Sequence, residues 1–184
     1  MAWVTASPPA NNLAVFAARR PDPAGSFLAP AVVSGGFTPP AFPHAAVTSA
    51  GDALLVWQQD VGSESRVWLA EYPSDAVAWS APLAFSPSGG SGAAPKVVAC
   101  GDTVTVVWIA GSVVQARRRT GSMAWGPVET LDAVGAAVAP LAVATSAACD
   151  VTVAWRRQLS TAQMVSAVAP AGTCLLYTSD AADE

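Results

Sequence analysis

The chain has 184 residues, 52% of them hydrophobic and only 12% charged, with a formal net charge of −4. The C-terminal stretch 174–184 holds three of the thirteen acidic side chains, so the remainder carries a net charge of −1. That balance excludes the basic footprint of a nucleic-acid-binding surface, and no apolar run approaches the ~20 residues of a membrane-spanning helix.

Residues 1–34 read as an incomplete unit. Met1-Ala2-Trp3 matches the end of a strand that recurs at Trp57, so the chain is expected to begin inside a repeat. Ser34-Gly35-Gly36-Phe37-Thr38-Pro39-Pro40 joins it to a complete unit at about 42–90. There, His44–Thr48, Ala53–Gln58, Arg66–Tyr72 and Trp79–Phe85 are strand-like runs, separated by turns at 49–52 and 73–78 and a loop at 60–65. Ser86–Gly92 leads into a second complete unit at about 94–138. A further unit begins at 139 and reaches its third strand, Ala162–Ala169. The stretch from Cys174 to Glu184 does not belong to the repeat; it resembles the translation of a transposase-type sequencing-library adaptor and is set aside from fold reasoning.

Two landmarks fix the period. Trp57, Trp108 and Trp155 each close a β-rich run and stand 51 and 47 residues apart. An aromatic followed closely by proline recurs as Phe27…Pro30, Trp79…Pro82 and Trp125…Pro127. A period near 50 with four short strands per unit predicts an all-β fold, a partial β-propeller whose four-stranded antiparallel blades span about 45–52 residues. Apolar side chains on both faces of the second strand suit sheets packed face to face, and each tryptophan can bury about 150–250 Å². Trp68 breaks the repeat and is also read as packing. Cys100 and Cys149 lie at matching turns of neighbouring units. Two small buried thiols are the expected state, with a disulfide between units as the alternative.

The pattern Pro-x-Val, Gly-Asp, Val-x-Val-x-Trp and aromatic-Ser-x-Pro resembles the sialidase-like (BNR, or Asp-box) propellers of bacterial secreted and surface proteins, over nearly all of residues 1–173. The box equivalents are degenerate. Ser74-Asp75-Ala76-Val77-Ala78-Trp79 lacks the glycine, Thr120-Gly121-Ser122-Met123-Ala124-Trp125 lacks the aspartate, and Asp22…Phe27 has phenylalanine for tryptophan. The resemblance implies an extracellular or cell-surface location. In catalytic members an arginine triad clamps the substrate carboxylate and a tyrosine acts as nucleophile. The segments matching the first arginine motif, Ala41-Phe42-Pro43, Ala93-Ala94-Pro95 and Val138-Ala139-Pro140, carry no arginine. Tyr72 abuts the third turn, on the face opposite the family's active site.

The expected function is therefore a non-catalytic secreted or surface repeat module that binds a glycan or a protein or serves structurally. The alternative is a fragment of a sialidase-like glycoside hydrolase whose catalytic residues lie in further blades. Ligand-binding candidates are the loop residues Gln58, Asp60, Glu64, Arg156 and Arg157, on the face where propellers bind ligands, together with His44. Arg19-Arg20 and Arg117-Arg118-Arg119 are expected to be solvated rim charge. No metal cluster, phosphate-binding loop or nucleophile–His–acid set is visible, so neither cofactor nor metal is expected.

Overall fold

The computed structural model describes residues 1–7, 12–22, 24–35, 38–132, 136–171 and 177–180. These form antiparallel sheets in which strand order follows chain order, with no helix. The first sheet has three strands, β1 (Ala2–Ser7), β2 (Asn12–Ala17) and β3 (Ala31–Val32). The second contains β4 (Ala41–Val47), β5 (Ala53–Val61), β6 (Glu64–Tyr72) and β7 (Leu83–Ala84). The third contains β8 (Gly92–Cys100), β9 (Thr103–Ala110), β10 (Val113–Thr120) and β11 (Glu129–Thr130). The fourth contains β12 (Ala137–Thr145), β13 (Val151–Gln158), β14 (Ala162–Ala169) and β15 (Tyr177–Asp180). One repeat of the sequence is thus one meander.

The sheets pack in series, and the periodic tryptophans explain how. Trp57 lies fully buried against Val15, Ala17 and Val33 of the first sheet. Trp108 does the same against Val56, Val67 and Phe85 of the second, and Trp155 against Val107, Val114 and Leu131 of the third. Each tryptophan therefore covers the preceding unit. Because β5 and β9 have a neighbour on both faces, they are buried almost throughout despite their two-residue alternation. Trp68 stands opposite Trp57 in the ladder and donates its indole N–H to Gln59 O at 3.2 Å, in keeping with a packing role.

Several expectations change. The strands that follow the aromatic–proline landmark, β3, β7 and β11, are only two residues long and start after Pro30, Pro82 and Pro127, since proline has no N–H to offer the ladder. Trp79 consequently precedes β7. The loop expected at 60–65 shrinks to a hairpin turn at Gly62-Ser63, with Gly62 at φ +62°, so Asp60 and Glu64 are strand residues. The two cysteines are not free thiols. Cys100 and Cys149 form a disulfide that ties the third sheet to the fourth, with Cα atoms 5.4 Å apart. Cys149 occupies the left-handed slot that Gly51 and Gly101 fill in the other units.

Arg117, Arg118 and Arg119 are half-buried rather than solvated rim charge. Arg117 lies over Phe85 and donates to Gly126 O at 2.9 Å. Arg118 donates to Thr105 Oγ1. Arg119 lies over Trp125 and reaches Glu71 of the preceding sheet at 3.0 Å. Arg19 likewise crosses a joint, stacking 4.1 Å from the Tyr72 ring centre and donating to Gly51 O at 3.1 Å. The C-terminal stretch, although foreign to the repeat in sequence, supplies an outer strand: β15 pairs with β14. Backbone ladders recognise extended chain rather than side chains, so an open strand edge accepts such a segment.

Candidate functional site

The first strands of the second, third and fourth sheets, β4, β8 and β12, share one irregularity near their beginnings. Register shifts fall between Ala41 and His44, Ala93 and Lys96, and Val138 and Leu141, where Pro43, Pro95 and Pro140 interrupt the ladder. The residues before the first two prolines, Phe42 and Ala94, adopt φ of 52° and 48°, in the left-handed region. A bulge of this kind re-aims side chains. Phe42 points outward and is 56% exposed, although it is a large aromatic within a strand. Beside it opens a groove of about 310 Å³, lined by Phe42, Gln58, Ala94, Ile109 and Val138. It runs across the starts of β4, β8 and β12.

Gln58 sits in the groove with its amide committed at both ends. Its Oε1 accepts Ala94 N–H at 3.1 Å, and its Nε2 donates to Ser65 Oγ at 2.7 Å. The first bond joins the second sheet to the third and holds the left-handed turn of Ala94. His44 makes a parallel connection: its Nδ1 accepts Val97 N–H from β8 at 3.3 Å. Burial lowers the imidazole pKa below its usual 6.5, and the Lys96 ammonium adds to that shift. A neutral ring with a free lone pair on Nδ1 is what this bond requires.

The other candidates separate. Asp60 is exposed, and its carbonyl accepts Thr38 Oγ1–H at 2.8 Å. Glu64 receives Gly89 N–H at 3.3 Å. Arg156 is exposed beside the groove, opposite Val138 in the ladder, and donates to Gln158 Oε1. Arg157 is not on a binding loop: β13 continues through Gln158, and strand alternation turns Arg157 inward. It is 6% exposed and bonded to the buried Asp132, with Nη2 at 3.0 Å and Nε at 3.2 Å. The groove therefore unites Gln58, with Arg156 at its edge. His44 and Glu64 serve as fasteners, and Arg157 belongs to the interior.

Asp132 was not legible as a partner, but it has a positional signal. It follows β11 as Ser34 follows β3 and Ser86 follows β7, and all three are buried. Asp132 Oδ2 accepts the indole N–H of Trp155 at 2.9 Å. In the second unit Gln59, two residues after Trp57, plays that part at 3.0 Å. In the third unit the matching residue is Ala110, and Trp108 Nε1 is buried without a hydrogen-bond partner.

A second cleft lies at the opposite end of the sheets, where the first two units meet. Arg19, Phe27 and Trp79 line about 310 Å³ there. Among the described residues, no group of three or more His, Cys, Asp or Glu could hold a metal ion, and no helix is long and apolar enough to cross a membrane. No protein-family model matches this chain, and a search of curated proteins finds no match either.

Proposed function

We propose that this chain is a non-catalytic repeat module of sialidase-like β-propeller type, secreted or displayed at the cell surface, which binds a glycan or protein ligand through the groove beside Phe42. The outward Phe42 carries the reading. A bulge in a left-handed conformation costs free energy, and here it presents a large aromatic to solvent at a concave surface instead of burying it. An exposed ring in a groove shared with the Gln58 amide suits a ligand with one flat apolar face and polar edges, such as a sugar ring or a peptide side chain. The serial meanders support the propeller architecture. The Cys100–Cys149 disulfide supports an oxidising compartment.

The test is nuclear magnetic resonance titration of the labelled chain with a panel of neutral and acidic oligosaccharides and extended peptides. Amide shifts should gather at Phe42, Ala94 and Val138 and vanish in Phe42→Ala, which retains the fold because the ring is exposed. Shifts confined to the Arg19–Trp79 cleft, or none with either ligand class, would refute the assignment. Turnover of a fluorogenic sialoside would replace it with the glycosidase reading.

A further inference from the structure

The first and second sheets meet differently from the second and third, and register shows how. Trp3 pairs with Phe16 as Trp57 pairs with Trp68 and Trp108 with Gln115. Counted from those partners, Arg19 and Tyr72 hold in the first joint the places that Glu71 and Arg119 hold in the second. The second joint is closed there by an ion pair, Glu71 to Arg119 at 3.0 Å. In the first joint the guanidinium meets a ring instead, with Arg19 lying 4.1 Å from the Tyr72 ring centre. Among the described residues the ion pairs are Glu71–Arg119 and Asp132–Arg157, so Arg19 has no counter-charge there. The rings differ as well. Trp125 is met edge-on at 4.7 Å by Phe85, the residue after β7. The residue after β3 is Val33, which has no ring to offer Trp79. Beside Trp79 a cleft of about 320 Å³ opens, lined also by Arg19, Leu28, Val32 and Tyr72. None of its described lining residues is acidic, and Leu28 and Val32 are 53% and 54% exposed.

We propose that this cleft, apart from the groove beside Phe42, binds a small aromatic carboxylate, with its ring on Trp79 and its carboxylate on Arg19. Such a ligand supplies the ring and the negative charge that the second joint draws from its own sequence. Both receiving groups are held in place. Arg19 is fixed by the Tyr72 ring and by one donor to Gly51 O at 3.1 Å, and a guanidinium has further N–H groups to turn toward a carboxylate. Trp79 is fixed by its edge contact with Tyr72, at 5.6 Å and 77°. An aromatic ring stacks offset or edge-on against such a surface, and little freedom is lost where the partners are already ordered.

The test is titration of the isotope-labelled full chain with phenylacetate, followed by nuclear magnetic resonance at the Trp79 indole N–H and the Arg19 Nε–H, with circular dichroism as the fold control. Both signals should move together and saturate. Phenylacetamide has the same ring without the charge and should bind about two- to fivefold more weakly, the margin of a partly exposed ion pair. Arg19→Gln should erase that margin. Leu28→Asp alters an exposed wall and should weaken the acid more than the amide, because it sets like charges together. An N-blocked peptide ending in a free phenylalanine carboxylate distinguishes the sources: tighter binding than phenylacetate assigns the acid to a peptide end, weaker binding to a free small molecule. No shift at the Trp79 indole, an amide that binds as tightly as the acid, or a preference for the acid that survives in Arg19→Gln would overturn the proposal.

Discussion

Removing the Asp132 carboxylate should be the most damaging polar change in the molecule. Asp132 is 2% exposed and accepts hydrogen bonds from Trp155 Nε1 at 2.9 Å, Arg157 Nη2 at 3.0 Å and Arg157 Nε at 3.2 Å. Asp132→Ala leaves the guanidinium buried without its counter-charge, which costs about 3–5 kcal/mol. For a chain of this size that is a fall in melting temperature of about 6–20 °C. In Asp132→Leu/Arg157→Leu both charges are gone, and the remaining penalty is the orphaned Trp155 indole, about 1–3 kcal/mol. The double variant should therefore be more stable than Asp132→Ala alone. The assay is urea unfolding followed by circular dichroism, with hydrogen exchange at β13, because a serial array can lose one unit before the others. A loss below about 1 kcal/mol in Asp132→Ala, the range of a solvent-exposed pair, would refute the claim that this contact is a buried lock.

The converse change should help: Ala110→Gln places a carboxamide where Gln59 serves Trp57, next to a groove of about 310 Å³ with room for it. Satisfying Trp108 Nε1 should raise stability by about 1 kcal/mol, measured by the same unfolding assay; no gain, or a loss, would mean that the indole already has an adequate environment. Cys100→Ser should release the constraint on a loop of sequence separation 49, costing about 3–4 kcal/mol, and wild type should show no Cys100 or Cys149 thiol reactive toward a chromogenic reagent until reduced. His44 gives the pH dependence. Its pKa is lower folded than its usual 6.5, so the unfolded chain binds the proton more readily. Its contribution is complete above about pH 6.5 and declines as pH falls through the folded value. His44→Gln should flatten the stability profile in that window, and an unchanged profile would assign the slope to other groups.

The repeat was legible because it is written in large apolar residues. Trp57, Trp108 and Trp155 recur on schedule, and burial between sheets is the physical reason for the schedule. Strand ends were less legible, because a β-hairpin can tighten until only Gly62 and Ser63 remain outside the ladder. Polar partners were not legible. Arg157 looked like a loop cation because Arg156 and Arg157 are adjacent, yet two adjacent strand residues face opposite ways, and only the inward one meets Asp132. Cys100 and Cys149 seemed equivalent but are offset by one residue relative to the turn aspartate. That offset lets one unit offer its cysteine in the glycine slot of the turn while its neighbour offers one beside it. Phe42 was dismissed with its segment for lacking arginine, although the proline after it carried the signal of a bulge.

The joints between sheets share an apolar design but differ in how they are fastened. The first joint uses Arg19 on Tyr72 and Gly51, with the Gln59 carboxamide on the Gly35 and Thr38 carbonyls. The second leaves Trp108 Nε1 without an acceptor but carries Gln58–Ala94, His44–Val97, Ser49–Asp102 and Arg119–Glu71. The third combines a disulfide with the buried Asp132–Arg157 pair. Apolar burial is non-directional and can be copied from unit to unit. A hydrogen bond needs a specific donor and acceptor, so each joint has its own set. Individuality therefore accumulates at the rims of the joints, which is also where the groove lies. Gln58 fastens the second joint and at the same time forms the groove wall beside Phe42. A ligand bound at this proposed site would touch a residue that holds two sheets together, so binding there would be coupled to the rigidity of the second joint through one side chain.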